Sequence, residues 1–265
     1  RLAEDRYMIV VNAGTQGNDL EWIRQHVSDS TTVENISEST AKVDVQGPQS
    51  PSIISSLLEK SIENLTYFSF EENFYNGQKI FISRTGYTGE IGFEVYLPPD
   101  LAAKFWKDSL SKGATAAGLG ARDTLRLEVG LPLYGHELCS ERNAMESGFT
   151  FAIADNKDFI GADKVRDPEH HIYQLTGLLI DGKRSVRDND IVYNPADSSE
   201  IGWITSGSFS PSLEQPIALA YINKNIKPQE GRVTIARRKK TLEASMTKPP
   251  FYKDGTARDK LSKFL

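Results

Sequence analysis

The sequence predicts an α+β protein of several compact units, with mixed helix and antiparallel-sheet units first and then a small all-β unit, a barrel or a sandwich. Two patterns carry this prediction. Over the first half, apolar residues recur at helical spacing between short alternating runs; after about residue 174, six short apolar runs follow one another with turn residues between them. The length of 265 residues supports division, because single hydrophobic cores stop growing near this size.

In chain order, Tyr7 to Val11 (YMIVV) ends at Asn12-Ala13-Gly14 and reads as a buried strand and turn. A helix follows, with Asn18 and Glu21 as a capping pair and Leu20, Ile23 and Val27 at helical spacing. Ala41, Val43 and Val45 alternate with polar residues, and Ser50-Pro51 opens a helix whose apolar face is Ile54, Leu57 and Leu58. From Lys79, KIFISR and GFEVYL form a hairpin around the glycine-rich GYTGEIG. Asp100 is expected to cap a helix carrying Leu101, Phe105 and Trp106. Gly118-Leu119-Gly120 introduces the helix ARDTLRLEV, which Gly130 stops. The runs LTGLLI, DIVY, EIGWIT, IALAYI, RVTIA and TLEASM supply the all-β unit.

Composition narrows the function. Hydrophobic residues are 38% of the chain and charged residues 25%, as in an ordinary globular protein. A net charge of -5 without a long single-sign run argues against a surface that neutralises nucleic acid. The one basic cluster, Arg237-Arg238-Lys239-Lys240, reads as a solvated turn between two strands. Cys139 stands alone, so neither an internal disulfide nor a cysteine metal framework is expected, which suits a reducing compartment. There is no run of about eighteen apolar residues and no basic-then-apolar leader, so neither a membrane span nor a secretory signal is expected. Arg1 to Arg6 are mostly charged and run straight into YMIVV, as if the chain began partway through a fold. His170 and His171, in an expected linker, are given no role.

Gly86 to Glu94 is the most informative segment. Its glycines do not have dinucleotide-site spacing, and they lead into a strand instead of a helix, which disfavours a phosphate loop. Phe93, Val95 and Leu97 share one face, so Glu94 and Tyr96 project to the other. Spacing alone does not make Glu94 a site, because a lone glutamate in a strand is usually a solvated surface residue. Arg122 lies in the first turn of its helix, where the dipole disfavours a cation by about 0.3 to 1 kcal/mol. Either a ligand put it there or it pairs with Asp123 or another surface acid; Arg126 lies on the same side.

GYTGEIGFEVYLP, GLGARDTLRLEVGLPLYGHEL, DFIGADKV and ITSGSFSPSLEQPIALAYI resemble, in order and spacing, the signature segments of glycine cleavage T-proteins, which are aminomethyltransferases. The likeness runs over essentially the whole chain. It implies a folate-binding body and a C-terminal small β-barrel domain: residues 1–40 belong to domain 1, 41–115 to domain 2, 116–173 to domain 1 again, and 174–265 to the barrel domain. It also implies tetrahydrofolate as cosubstrate, with Glu94 and Arg122 on the pterin, Tyr87 near it and Asn12 lining the cavity.

A fixed carboxylate suits an amide-like edge through charge-assisted bonds, and an arginine fork suits its carbonyl side or holds the carboxylate. The implied reaction moves a methylene from an aminomethyl-lipoyl arm, carried by the H-protein, to tetrahydrofolate and releases ammonia. No nucleic acid or membrane partner is implied. The implied compartment is the cytoplasm of a bacterium or the mitochondrial matrix of a eukaryote. The family's general-base aspartate falls before Arg1, so no catalytic residue is expected within the sequence, and the chain as given is expected to bind folate without doing the proton chemistry.

Tyr134 and His136 are expected to be structural, and the folate tail is left to Tyr252, Lys253 or Arg258. A folate-dependent demethylase and a non-catalytic folate-binding protein are the alternatives on the same fold.

Overall fold

The computed structural model describes residues 1–265, with the side chain of His170 outside the description. Alternation in the first half becomes a four-stranded antiparallel sheet. Its strands are β1 (Ala41–Gln46), β2 (Phe70–Tyr75), β3 (Gln78–Ser83) and β4 (Gly92–Leu97), in the order β1-β4-β3-β2. One face of the sheet is core: Val45, Ile80, Ile82, Phe93, Val95 and Leu97 pack with Ile53 and Ile54 of α2 (Ser50–Leu57) and with Leu101 and Phe105 of α3 (Pro99–Ser111). The inward set on β4 is the expected one, so Glu94 and Tyr96 stand on the outer face.

Strand β2 is not in the sequence reading. It joins β3 through Asn76-Gly77, both left-handed at φ 53° and 71°, the conformation a two-residue hairpin turn requires. The cap of α3 is Pro98, so Asp100 sits inside the first turn, where its charge still favours the helix end. Helix α1 (Gln16–His26) begins before Asn18, with Thr15 at its cap position, and none of its residues is buried.

The expected strand at Tyr7 to Val11 does not form. The segment joins neither edge strand, β1 or β2, and runs as irregular chain with Met8 and Val10 near Phe70, Phe81 and Tyr96 of the outer sheet face. Tyr7, Ile9 and Val10 are 63%, 65% and 57% exposed, which overturns the buried reading.

After α4 (Leu119–Glu128) and α5 (Ala162–Arg166), all six expected runs are strands: β5 (Tyr173–Ile180), β6 (Ile191–Tyr193), β7 (Glu200–Ser210), β8 (Gln215–Asn223), β9 (Arg232–Arg237) and β10 (Lys240–Thr247). They close in the order β10-β5-β8-β7-β6-β9, with β9 and β10 also paired, which settles barrel against sandwich. Its interior is aliphatic, with Leu178, Ile180, Val192, Ile204 and Ile235 fully buried.

Buried polar contacts tie the barrel to the body. Arg126 of α4 forms a buried ion pair with Glu137 at 3.0 Å and donates to Ser206 Oγ at 2.7 Å. Glu128 accepts from Ser210 Oγ at 2.6 Å and from Ser212 N and Oγ at 3.0 and 2.9 Å. Beyond β10 the chain leaves the barrel. Leu261 is buried in the core of the sheet, Ala257 N donates to Gly89 O at 3.1 Å, and Thr256 Oγ1 donates to Glu90. Buried Arg84 donates to the carbonyls of Leu65, Ala257 and Asp259. The segment 174–265 is therefore shared between barrel and body. Among the described residues, no helix is long and apolar enough to cross a membrane.

Candidate functional site

Glu94 stands directly opposite Asp44 across the β1–β4 ladder. Facing carboxylates repel, and Lys42 compensates them: its Nζ lies 2.5 Å from Glu94 Oε1 and 3.2 Å from Asp44 Oδ1. Glu94 Oε2 accepts from Thr85 Oγ1 at 2.5 Å and from Tyr96 OH at 3.3 Å. Burial pushes the Glu94 carboxyl up, but the hydrogen bonds from Lys42 and Thr85, the Lys42 charge and the Tyr96 hydroxyl together bring it below its ordinary value. Burial and the Glu94 charge push the Tyr96 phenol far up, which keeps it a neutral donor.

Arg122 completes the row. Its Nη1 lies 3.5 Å from Asp44 Oδ2, and its guanidinium lies over the Tyr87 ring at 4.6 Å. The row Glu94, Lys42, Asp44, Arg122 thus alternates in charge and sums to zero. Asp123 is not the partner of Arg122; it bonds Arg126 instead, at 2.7 Å. Tyr87 is fixed by its hydroxyl, which donates to Pro132 O. The turn that carries it needs Gly89, which has φ 77° and where a Cβ would collide with Val129.

Beside this row the outer sheet face forms a hollow of about 180 Å³ between Met8 and Val10 on one side and Phe70, Phe81, Ser83 and Tyr96 on the other. Two buried acceptors of β1, Asp44 Oδ1 and Gln46 Oε1, make no hydrogen bond; Lys42 approaches the first as a charge without the alignment of a bond. The surface is rich in acceptors and aromatic on one wall, as a flat heterocycle with ring N–H groups would need.

The structure therefore brings Glu94, Arg122 and Tyr87 together, but not Asn12. Asn12 is exposed in the turn before α1, where its carbonyl accepts from Thr15 N at 3.1 Å, and its side chain bonds none of the other three among the described residues. Tyr252 N donates to Glu128 O and Arg258 lies over Tyr67; neither they nor Lys253 bonds Glu94 or Arg122. Tyr134 is exposed, and His136 Nδ1 lies 2.9 Å from Thr205 O. Lys42, Asp44 and Thr85, which the sequence reading passed over, join this row, as does Tyr96, which it placed only on the outer face. The alternation that sends Ala41, Val43 and Val45 inward also sends Lys42 and Asp44 outward.

Sheet body and closed six-stranded barrel together define a two-part architecture. Residues 1–157 match the GCVT N-terminal domain, and residues 174–253 match the Glycine cleavage T-protein C-terminal barrel domain. The chain is 37% identical over 260 residues to an aminomethyltransferase of Geobacillus sp. (strain WCH70), covering 95% of this chain and 71% of that protein. It is 35% identical over 266 residues to one from Thermotoga neapolitana, covering 98% and 72%. The solved glycine cleavage system aminomethyltransferase T from Bartonella henselae superposes with a TM-score of 0.82 at 26% identity, covering 92% of this chain and 68% of that one. The chain belongs to the glycine cleavage T-protein family of aminomethyltransferases.

Proposed function

We propose that the protein transfers a methylene from an aminomethyl-lipoyl group on a carrier protein, the H-protein, to tetrahydrofolate with release of ammonia, and that the pterin end of the folate sits at the row from Glu94 to Arg122. The observation that carries this reading is the Glu94 carboxylate, held ionised beside an aromatic hollow on the outer sheet face. A hollow of about 180 Å³ suits one bicyclic ring system and not a whole folate. The remainder of the ligand would lie outside it.

In this reading the residues of the chain bind and orient. Glu94 accepts from the ring N–H groups. A carboxylate has about four lone-pair directions, and three of those on Glu94 are engaged, so the long bond from Tyr96 is the one to yield. Arg122 is 47% exposed, which leaves its fork open to a carbonyl edge while Asp44 and Tyr87 fix its direction. Holding the acceptor nitrogen against the incoming methylene supplies the rate advantage of proximity.

The test is a tetrahydrofolate titration of the wild type and of Glu94→Gln. Affinity is expected to fall several-fold to a hundredfold, about 1 to 3 kcal/mol for one charged hydrogen bond, at a titration temperature where both proteins are fully folded. Equal affinity removes Glu94 from the site.

A further inference from the structure

The β9–β10 turn and the loop after β5 border a concavity of about 470 Å³ lined by Arg184, Arg237, Arg238, Lys239, Lys240 and Leu242. Five of these six residues are cationic, in a chain of net charge -5. Asp190 meets Arg237 at 3.0 Å. Among the described residues Arg184, Arg238, Lys239 and Lys240 form no ion pair with a carboxylate, although Arg232 of the same barrel has two such partners. Like charges gathered around a hollow repel one another and raise the local concentration of anions. A solvated turn accounts for the run 237–240, but not for Arg184, which reaches the same concavity from a loop that precedes β6, β7 and β8.

The backbone adds a second observation. Arg237 pairs with Lys240, so Arg238-Lys239 is a two-residue hairpin turn, and Arg238 is left-handed at φ 56°. Glycine or asparagine is the commonest choice there, as in the β2–β3 turn Asn76-Gly77, although Ser198 and Glu214 of this chain are also left-handed. The turn puts the Arg238 guanidinium at the rim of the concavity.

The geometry points to an anion site in this groove that takes a small multivalent phosphate. Arginine forks can each grip two phosphate oxygens, the lysines add point charges, and the volume lies in the range of small-ligand pockets. The groove shares no residue with the row from Glu94 to Arg122, so its occupancy and folate binding are separately measurable.

The test is calorimetric titration of the full chain with inorganic pyrophosphate and tripolyphosphate at low ionic strength. Saturable one-to-one binding is expected, tighter for tripolyphosphate and weakened by added salt. The double variant Arg184→Gln/Arg238→Gln is expected to bind roughly tenfold or more weakly. Lys239→Gln/Lys240→Gln, which leaves the left-handed position untouched, is expected to weaken binding in the same direction. No binding by the wild type, or undiminished binding by both double variants, overturns the proposal. So does binding of a glutamate-rich peptide or a DNA duplex where neither phosphate binds, since the groove would then be a contact for a macromolecule.

Discussion

Lys42 lies diagonally across the β1–β4 ladder from Glu94, with 2.5 Å between its ammonium and the carboxylate, and the same ammonium reaches Asp44 directly opposite. One cation thus offsets the repulsion between two facing acids on a half-buried surface. Without it, burial would favour the protonated form of Glu94.

The acid dependence of stability follows from Glu94. Its folded value lies below the ordinary 4.5, so its contribution is full above that value and is lost as pH falls through the lower folded value. Thermal unfolding across the acid range should show the advantage of wild type over Glu94→Gln shrinking below pH 4.5. A gap that stays constant contradicts the assignment.

Lys42→Met removes the compensating charge. The Glu94 carboxyl is then expected to titrate higher, readable by carbon-detected NMR. Lys42 is 34% exposed, so solvent screening limits the stability loss to about 1 kcal/mol. An unmoved Glu94 titration would show that Thr85 and Tyr96 suffice.

Arg126 is 2% exposed and Glu137 fully buried, so removing one partner strands the other charge. Arg126→Met is expected to cost about 3 to 5 kcal/mol in urea unfolding, and Arg126→Met/Glu137→Met is expected to recover much of the loss. Additive losses in that cycle would mean that the two side chains act independently.

Gly202 on β7 faces the backbone of β8, and a Cβ there would overlap the carbonyl oxygen of Tyr221. Gly202→Ala is therefore expected to destabilise by about 1 to 3 kcal/mol, because the obstacle is main chain and cannot rotate away. Wild-type stability in chemical denaturation would refute the close approach.

Where period and punctuation agree, the sequence is a good guide to this fold. Alternation through Phe93, Val95 and Leu97 put Glu94 outward, and six punctuated apolar runs gave six barrel strands. Errors arose where a local signal needed a distant partner. YMIVV has strand composition, but it pairs with neither edge of the sheet. Strand β2 (FEENFY) breaks its aromatics with Glu71, Glu72 and Asn73, so it lacks regular alternation, and its clearest mark is the turn Asn76-Gly77 that follows. The partnership of Lys42 with Glu94 spans 52 residues and depends on strand register, which single-strand periodicity does not contain.

The return of residues 256–261 to the sheet bears on how the molecule is made. Arg84 introduces the loop that carries Thr85 and Tyr87, and the Ala257 carbonyl that holds it lies 173 positions later. Domains generally fold in the order of synthesis, yet here the final bracing of the body waits until the whole barrel has been translated. The nascent body spends that interval with the berth of Leu261 empty.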